Sequence, residues 1–227
     1  MSELRVVPIA GLPEIGVDHD IAEEIVAHSP ISLADGDVIV VTQKIVSKAE
    51  GRLVPAAERD SAIASESVRI LRRSGGMRIS ETRHGFVCAN AGVDASNVPE
   101  DQLALLPVDP DASARRLRSR FEHLAGVDVG VIVSDTFGRA WRLGQTDVAI
   151  GVAGIDPFVD HRGSHDSYGR ELTATRICAA DELAGAAELV MGKTEGIAAA
   201  VIRGARVPRG RGAAAEIPRA PADDLFR

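Results

Sequence analysis

Short apolar runs alternate with polar, glycine-containing stretches along the whole chain. Apolar runs of about four to eight residues that are rich in Val and Ile are typical of buried β-strands. Segments whose apolar residues recur every three or four positions predict amphipathic helices instead. By these patterns the predicted strands are residues 4–9, 38–41, 77–82, 86–89, 127–133, 148–152 and 198–202.

Four helices are predicted, over residues 18–28, 56–73, 109–124 and 181–191. Asp18 or Asp20 can cap the first helix, and Asp109 followed by a proline begins the third. Leu124 is predicted to be the last inward position of that third helix. Glycines end the second and fourth helices, the latter at Gly192. Residues 172–177 fit a strand or the start of the last helix equally well.

Strands and helices are mixed without regular alternation, which favours an α+β architecture over a doubly wound parallel sheet. We therefore predict mixed, mainly antiparallel sheets with packed helices. Residues 1–205 form one domain, and two intertwined subdomains remain an alternative. Residues 206–227 are rich in Arg, Gly, Ala and Pro, which predicts a flexible tail or linker.

Composition narrows the class of protein. The 227 residues are 45% hydrophobic and 26% charged, as in an ordinary globular protein. Aromatic residues make up only 3% and the formal net charge is −7, which argues against a nucleic-acid binder. No apolar run reaches the length of a membrane span, and no secretory signal is recognisable. We expect a cytoplasmic protein whose two cysteines are reduced.

Two acids stand in settings where a surface acid is not expected. Asp94 lies in the small-residue stretch A-G-V-D-A-S-N, and Asp135 follows the most apolar run of the chain. Each residue alone fits a turn or a backbone-bonded acid as well as a ligand for a hard cation such as Mg²⁺. Thr136 adds a hydroxyl, which favours a metal site, and Arg139 could neutralise phosphate oxygens.

Lysines in two loops could bind phosphate. Lys44 and Lys48 follow a buried strand, and solvated lysines are as good an interpretation as phosphate ligands. Lys193 follows Gly192 in a sequence like the end of a P-loop, but residue 187 is Ala and a helix precedes the segment. Both features argue against a true P-loop, and the dinucleotide fingerprint is absent too. The loop at Gly192 could still close over phosphates.

Taken in order, many segments resemble the coenzyme F-420-0:L-glutamate ligase family, also called gamma-glutamyl ligases. The resemblance covers nearly the whole chain to about residue 204. It rests on the segments P-I-A-G-L-P, D-G-D-V-I-V-V-T, V-S-K-A-E-G-R, A-N-A-G-V-D-A-S-N-V, L-L-P-V-D-P-D-A-S-A, V-S-D-T-F-G-R-A-W-R, D-S-Y-G-R-E-L, A-D-E-L-A-G-A-A-E-L-V-M-G and A-V-I-R-G.

The resemblance implies a family-specific α+β fold, a homodimer and GTP as co-substrate. It implies a divalent metal, Mg²⁺ or Mn²⁺, with K⁺ as a further candidate ion. The metal ligands would be Asp94, Asp135 and Thr136. Nucleotide contacts would fall on Leu12, Pro13, Lys48 and Asn97, with the loop at Gly192 and Lys193 closing over the nucleotide.

The implied reaction transfers a phosphoryl group to the carboxylate of a deazaflavin phospholactyl tail. The amino group of L-glutamate then attacks the acyl phosphate to form an amide. Asp94, Asp135 and Arg139 are the catalytic candidates. A metal-dependent phosphohydrolase and a non-catalytic guanine-nucleotide-binding module are the alternatives. GTP against ATP, the number of glutamates, the metal used in the cell and a fused nitroreductase-like domain beyond residue 227 stay open.

Overall fold

The computed structural model describes residues 3–225 and places most of the apolar runs in one five-stranded sheet. The strands are β1 (Arg5–Pro8), β2 (Val38–Thr42), β3 (Leu53–Pro55), β4 (Ser67–Ser74), β5 (Met77–Thr82), β6 (Val87–Ala89), β7 (Gln102–Ala104), β8 (Gly130–Arg139), β9 (Arg142–Ala153), β10 (Phe158–Asp160), β11 (Arg176–Cys178) and β12 (Ala199–Arg203). The helices are α1 (Ile21–His28), α2 (Gln43–Ala49), α3 (Arg59–Glu66), α4 (Pro110–Ala125) and α5 (Ala179–Met191).

The main sheet has the strand order β1-β12-β2-β8-β9. Only β2 and β8 in it run parallel, and its other neighbouring strands are antiparallel. Smaller sheets are formed by β4-β5-β6, β3-β7 and β10-β11, all antiparallel. The predicted α+β class with mainly antiparallel sheets is confirmed.

Helices cover both faces of the main sheet, which explains why β2 is apolar at four successive positions. Ile39 and Val41 point to the face covered by α1 and α4, whose buried core includes Phe121. Val38 and Val40 point to the opposite face, covered by α5. A strand buried on both sides needs apolar residues at every position, so strict alternation is absent.

The predicted helix ends are largely confirmed. Asp20, not Asp18, caps α1 by accepting a hydrogen bond from the Glu23 amide. Asp109 caps α4 through the Ala112 amide at 2.8 Å, and α4 ends at Gly126. Leu124 is 36% exposed, so its predicted inward position is wrong. The last helix begins at residue 179, and β11 shows that the end of the undecided segment 172–177 is strand.

The predicted helix 56–73 is wrong in its second half. The chain forms a short 3₁₀ turn and then α3, and it becomes extended at Ser67. The following residues form β4, paired with β5. The β-branched Val68 and Ile70 favour this pairing over helix. The two glycines at 75 and 76 turn the chain between the two strands and do not end a helix.

The C-terminal segment makes contacts with the main body. Ala214 is fully buried against the α5 side of the sheet. The Asp111 carboxylate accepts hydrogen bonds from the Ala214 and Ala215 amides at 2.8 and 3.1 Å. The segment therefore has fixed partners up to that point. The assignment of residues 206–227 as a separate linker stays a prediction, as does the single domain over residues 1–205.

A buried carboxylate ties α3 to the three-stranded sheet β4-β5-β6, which we call the outer sheet. Glu66 is 6% exposed at its side chain and accepts hydrogen bonds from Arg52 at 2.9 Å and Arg83 at 2.8 Å. Burial alone would raise the pKa of Glu66, but the two guanidinium groups hold it below its usual value. A carboxyl whose pKa is lower in the folded state stabilises the protein above its ordinary pKa, and this stabilisation is lost as pH falls.

Glu66→Gln should therefore destabilise the protein by about 2 kcal/mol at pH 7, since two arginines lose their counterion. The difference from wild type should shrink as the pH falls below about 4.5, because the carboxyl is protonated there in the unfolded chain and only at lower pH in the folded protein. Urea unfolding at pH 7 and at pH 3.5 measures it. Glu122→Gln, on the exposed face of α4, is the matched control. A difference that is the same at both pH values would contradict the ion-pair interpretation.

Candidate active site

Several functional candidates meet at one edge of the main sheet because β2 and β8 are parallel there. Thr42 of β2 pairs with Ser134 of β8, so α2 begins beside the residues that follow Ser134. The chain leaving β1 and the chain entering β12 reach the same edge, since Ala199 pairs with Val41. The carboxyl ends of parallel strands are a common place for active sites in mixed α and β folds.

Asp135 lies within a strand, not at a strand end as the apolar run suggested. β8 continues through residue 139 and forms a long hairpin with β9. A register irregularity between Val133 and Ser134 marks the point where the apolar part of β8 gives way to its polar part. Polar side chains therefore stand on a rigid strand, which holds them more firmly than a loop would.

Asp94 and Lys44 form an ion pair on one face of this edge. The Lys44 Nζ donates to Asp94 Oδ2 at 2.6 Å, and the Ser96 hydroxyl donates to the same oxygen at 2.5 Å. Burial alone would raise the pKa of Asp94, but hydrogen bonds from Lys44 and Ser96 hold it below its usual value. Asp94 is therefore ionised at neutral pH.

A left-handed turn sets the position of Asp94. Asn90, Ala91 and Gly92 all have positive φ, between 51° and 76°. A side chain on Gly92 would meet Leu106 at 2.7 Å, so glycine is required there on steric grounds as well. Ala91 in this conformation carries backbone strain of the order of 1 kcal/mol. The A-G-V-D sequence is thus the turn that delivers the acid.

Asp135 has the most perturbed carboxyl of this edge. Its pKa is raised to about 7, chiefly by burial and further by the negative charges of Asp147 and Asp94. The Thr136 amide and Lys44 oppose this shift without cancelling it. Burial and the Asp135 charge also raise the pKa of the Cys88 thiol to about 12, so Cys88 is not a nucleophile at neutral pH. Burial and the neighbouring acids together therefore disfavour the charged form of Asp135.

A second polar group lies on the opposite face of β8. The buried Asp147 of β9 accepts hydrogen bonds from Ser134 at 2.9 Å and Thr136 at 2.5 Å. Lys193 donates to Asp147 at 3.1 Å and also contacts the Thr136 hydroxyl. Because strand side chains alternate, Ser134 and Thr136 share this face, and Asp135 points to the other.

The donors fit hard cations. Within residues 3–225, no three acidic, histidine or cysteine side chains are already arranged as ligands of one ion. Carboxylate and hydroxyl oxygens are nevertheless what Mg²⁺ and Mn²⁺ prefer. The pKa of Asp135 is raised first by burial and then by the charges of Asp147 and Asp94, and a bound cation would offset both effects. The alternation of β8 separates Asp135 and Thr136, so this site fits one ion on each face better than one shared ion.

The predicted nucleotide contacts lie around the same edge. Lys48 is buried and donates to Glu14 at 2.5 Å, which anchors the loop that contains Leu12 and Pro13. Leu12 packs against the core, whereas Pro13 is exposed. Asn97 is exposed and lies three residues beyond Asp94, with a positive φ of 54°. Their contacts with a nucleotide stay predictions.

The loop after α5 brings Lys193 to the site. Gly192 ends α5 with φ of 62°, and the Glu195 carboxylate occupies the space where a side chain of residue 192 would lie. The Glu195 carboxylate also accepts a hydrogen bond from the Thr194 amide at 3.0 Å. The loop is therefore a tight turn with an internal hydrogen bond, and its Lys193 reaches the face of β8 that carries Thr136.

Arg139 lies away from the acids and lysines at the sheet edge. It lies at the tip of the β8–β9 hairpin, where its guanidinium donates to the Leu143 carbonyl at 2.9 Å. Four residue steps along the strand separate it from Asp135, which corresponds to about 13 Å. The structure thus brings Asp94 near Asp135, places Thr136 on the opposite face of β8 and leaves Arg139 apart from them.

Sequence patterns missed Asp147 and gave no preference for Lys44. Asp147 stands before the apolar run 148–152, as Asp135 stands after 127–133, and this symmetry was the available signal. Its position became evident only from the register, in which Thr136 pairs with Asp147. The ion pair between Lys44 and Asp94 places Lys44 in the site, which the sequence alone could not decide.

Comparison with known proteins agrees with the sequence resemblance. The family described as F420-0:Gamma-glutamyl ligase matches residues 11–66 and 56–204. The coenzyme F420:L-glutamate ligase of Methanothermobacter thermautotrophicus is 43% identical over 224 residues, covering 88% of this chain and 89% of the relative. Ligases of the same name from Methanopyrus kandleri and Archaeoglobus fulgidus are each 41% identical and cover 99% of this chain and 98% and 96% of the relatives.

The α+β fold with acids and lysines gathered at one sheet edge is thus that of a ligase. The chain belongs to the F420-0:gamma-glutamyl ligase family. In residues 3–225, none of the helices has the length and apolarity that crossing a membrane requires.

Proposed function

We propose that this ligase joins L-glutamate to the phospholactyl carboxylate of a deazaflavin coenzyme precursor, at the expense of GTP. The family supports the glutamate and the coenzyme, since relatives at about 40% identity carry that name. The observation that carries the chemistry is the group of three acids, Asp94, Asp135 and Asp147, next to Lys44 and Lys193. Such a group suits a metal-bound triphosphate.

Asp94 and Asp135 would hold one divalent cation and Thr136 with Asp147 a second, either Mg²⁺ or Mn²⁺, with K⁺ as a further candidate. Bound there, the ions would supply charge neutralisation for the phosphates. Lys44 and Lys193 pair with Asp94 and Asp147 in the structure. Each lysine could turn to phosphate oxygens once its acid has another partner, so the ion pairs hold both ammonium groups ready.

The surroundings of Asp135 favour aminolysis over hydrolysis. The transferred phosphoryl group makes the substrate carboxylate an acyl phosphate, and the glutamate amine displaces phosphate from it. Water would compete for this intermediate. Phe137, two residues beyond Asp135 on β8, meets Phe86 edge to face with ring centroids 6.1 Å apart, and this apolar pair would limit access of water from the core side.

The nucleotide would lie along the loop of Leu12 and Pro13, Lys48 and Asn97, with Gly192 and Lys193 over its phosphates. Arg139 would need a substrate group that reaches the hairpin tip, or a second protomer. A homodimer is part of the proposal and would be consistent with the exposed Leu143 at that tip. A fused nitroreductase-like domain and a cytoplasmic location are the remaining proposals.

Mass spectrometry of the deazaflavin product tests the function directly. Incubation with GTP, glutamate and Mg²⁺ or Mn²⁺ should add glutamate residues to the precursor and release one GDP for each. GDP release that needs neither glutamate nor precursor would indicate a phosphohydrolase instead. Calorimetric GTP binding without turnover under any substrate mixture would indicate a binding module. Replacing GTP by ATP in the same assay determines the nucleotide.

A further inference from the structure

A cavity of about 820 Å³ lies between the outer sheet, the β8–β9 hairpin and the C-terminal segment. Its volume is within the range of small-molecule sites, about 300–1,000 Å³. One wall is the apolar part of β4 and β5, and the wall facing it is formed by β8 and β9. Ile217 and Pro218 of the C-terminal segment close one side.

Three of the chain's few aromatic residues line this cavity: Phe86, Phe137 and Trp141. Phe86 and Phe137 meet edge to face with ring centroids 6.1 Å apart. Trp141 stands at the hairpin tip and is 77% exposed. With aromatic residues at only 3% of the sequence, such a concentration favours a flat aromatic ligand.

Cationic side chains line the cavity next to the aromatic ones. Arg69 pairs with Glu81, whereas Arg72 donates to the Leu71 carbonyl and has no carboxylate within ion-pair distance among the described residues. Arg219 also lines the wall. Of the cavity's two acids, Asp181 is engaged by the Ala149 amide at 2.9 Å, and the other is Asp224. Arg72 is thus available to an anionic group.

The cavity borders the active site through β8 and β9. Phe137 is two residues beyond Asp135 on the same strand and points to the same face. Val148, the cross-strand partner of Asp135, lines the cavity as well. A ligand that fills the cavity could therefore reach Asp135 with a short tail.

We infer that this cavity binds the deazaflavin precursor, with the ring system against Trp141 and Phe137 and the phosphodiester on Arg72. This rests on the proposed function, since it assigns a place to its substrate. The phospholactyl carboxylate would then extend along β8 toward Asp135, where the triphosphate is expected. The aromatic ring and the reacting carboxylate would occupy two connected but separate compartments.

Equilibrium binding of the precursor, followed by deazaflavin fluorescence without nucleotide, tests this assignment. Trp141→Ala should weaken binding about tenfold, both for the precursor and for the deazaflavin that lacks the phospholactyl tail. Arg72→Ala should weaken only the phosphate-bearing form, also about tenfold. The matched controls are Leu143→Ala at the same hairpin and Arg73→Ala on the same strand, neither of which lines the cavity.

The outcomes separate the cavity from the function. Wild-type binding that neither variant weakens would overturn the cavity assignment and leave the ligase proposal intact. Failure of the wild-type protein to bind the precursor would overturn both. A change of oligomeric state in Trp141→Ala, with binding unchanged, would assign the cavity to a second copy of the chain. Unaltered GTP binding in each variant shows that the fold is retained.

Discussion

Asp135→Asn is expected to abolish amide formation and yet to stabilise the metal-free protein at neutral and alkaline pH. Asparagine has the shape of aspartate but neither its charge nor its affinity for a hard cation. Loss of charge compensation at a phosphoryl-transfer site costs about 10³-fold in kcat. The product assay with saturating GTP, glutamate and precursor measures this loss.

The stability gain follows from the raised pKa of Asp135. Its pKa is 3.8 unperturbed and about 7 in the folded protein, so ionisation above pH 7 costs about 4 kcal/mol of folding free energy. The penalty is absent below pH 3.8, grows between the two pKa values and is constant above pH 7. Because the buried amide is itself imperfectly satisfied, the net gain from Asn should be about 1–3 kcal/mol.

Urea unfolding at pH 4 and at pH 8 in the presence of a chelator measures this gain. The difference between variant and wild type should appear at pH 8 and nearly vanish at pH 4. Adding Mg²⁺ or Mn²⁺ should stabilise the wild-type protein more than the variant, which keeps only the proposed ion at Thr136 and Asp147. Equal effects of the substitution on the free energy of unfolding at both pH values would show that ionisation of the Asp135 carboxyl is not what destabilises the wild-type protein.

The contrast between β2 and β4 shows what the sequence pattern could predict. The run at 38–41 is apolar at every position, and only a strand buried on both faces needs that pattern. The segment after Glu66 mixes arginines with apolar residues and is compatible with a helix face. It became a strand because Met77–Thr82 lies beside it to pair with, which is tertiary information.

The candidate site likewise contains residues that the sequence could predict and residues that it could not. A-G-V-D and D-T could be recognised because small residues around an acid, or an acid beside a buried strand, are unusual in themselves. The partners Lys44 and Asp147 could not be chosen, because their significance comes from register and from the parallel pairing of β2 with β8. The sequence could not predict that Asp135 and Thr136 point to opposite faces, because this follows only once the strand is seen to continue beyond residue 133.

Asp147→Asn should lower kcat/KM by about 10²- to 10³-fold, although no sequence motif marks this residue. Asp147 is 2% exposed and accepts hydrogen bonds from Ser134, Thr136 and Lys193. The amide keeps one acceptor oxygen but removes the charge that a cation on this face requires, and it releases Lys193. We therefore expect the KM for nucleotide to rise along with the loss of kcat.

Asp101→Asn, at an exposed loop position, is the matched control and should keep full activity.

Thr136→Ser should retain most of the activity, because serine keeps the hydroxyl. Thr136→Val should lose the activity, because it keeps the shape of threonine and removes only the hydroxyl. Circular dichroism and urea unfolding establish that each variant is folded. Wild-type kinetics in Asp147→Asn would place the chemistry wholly on the face of Asp94 and Asp135, and the polar group at Thr136 would then be structural.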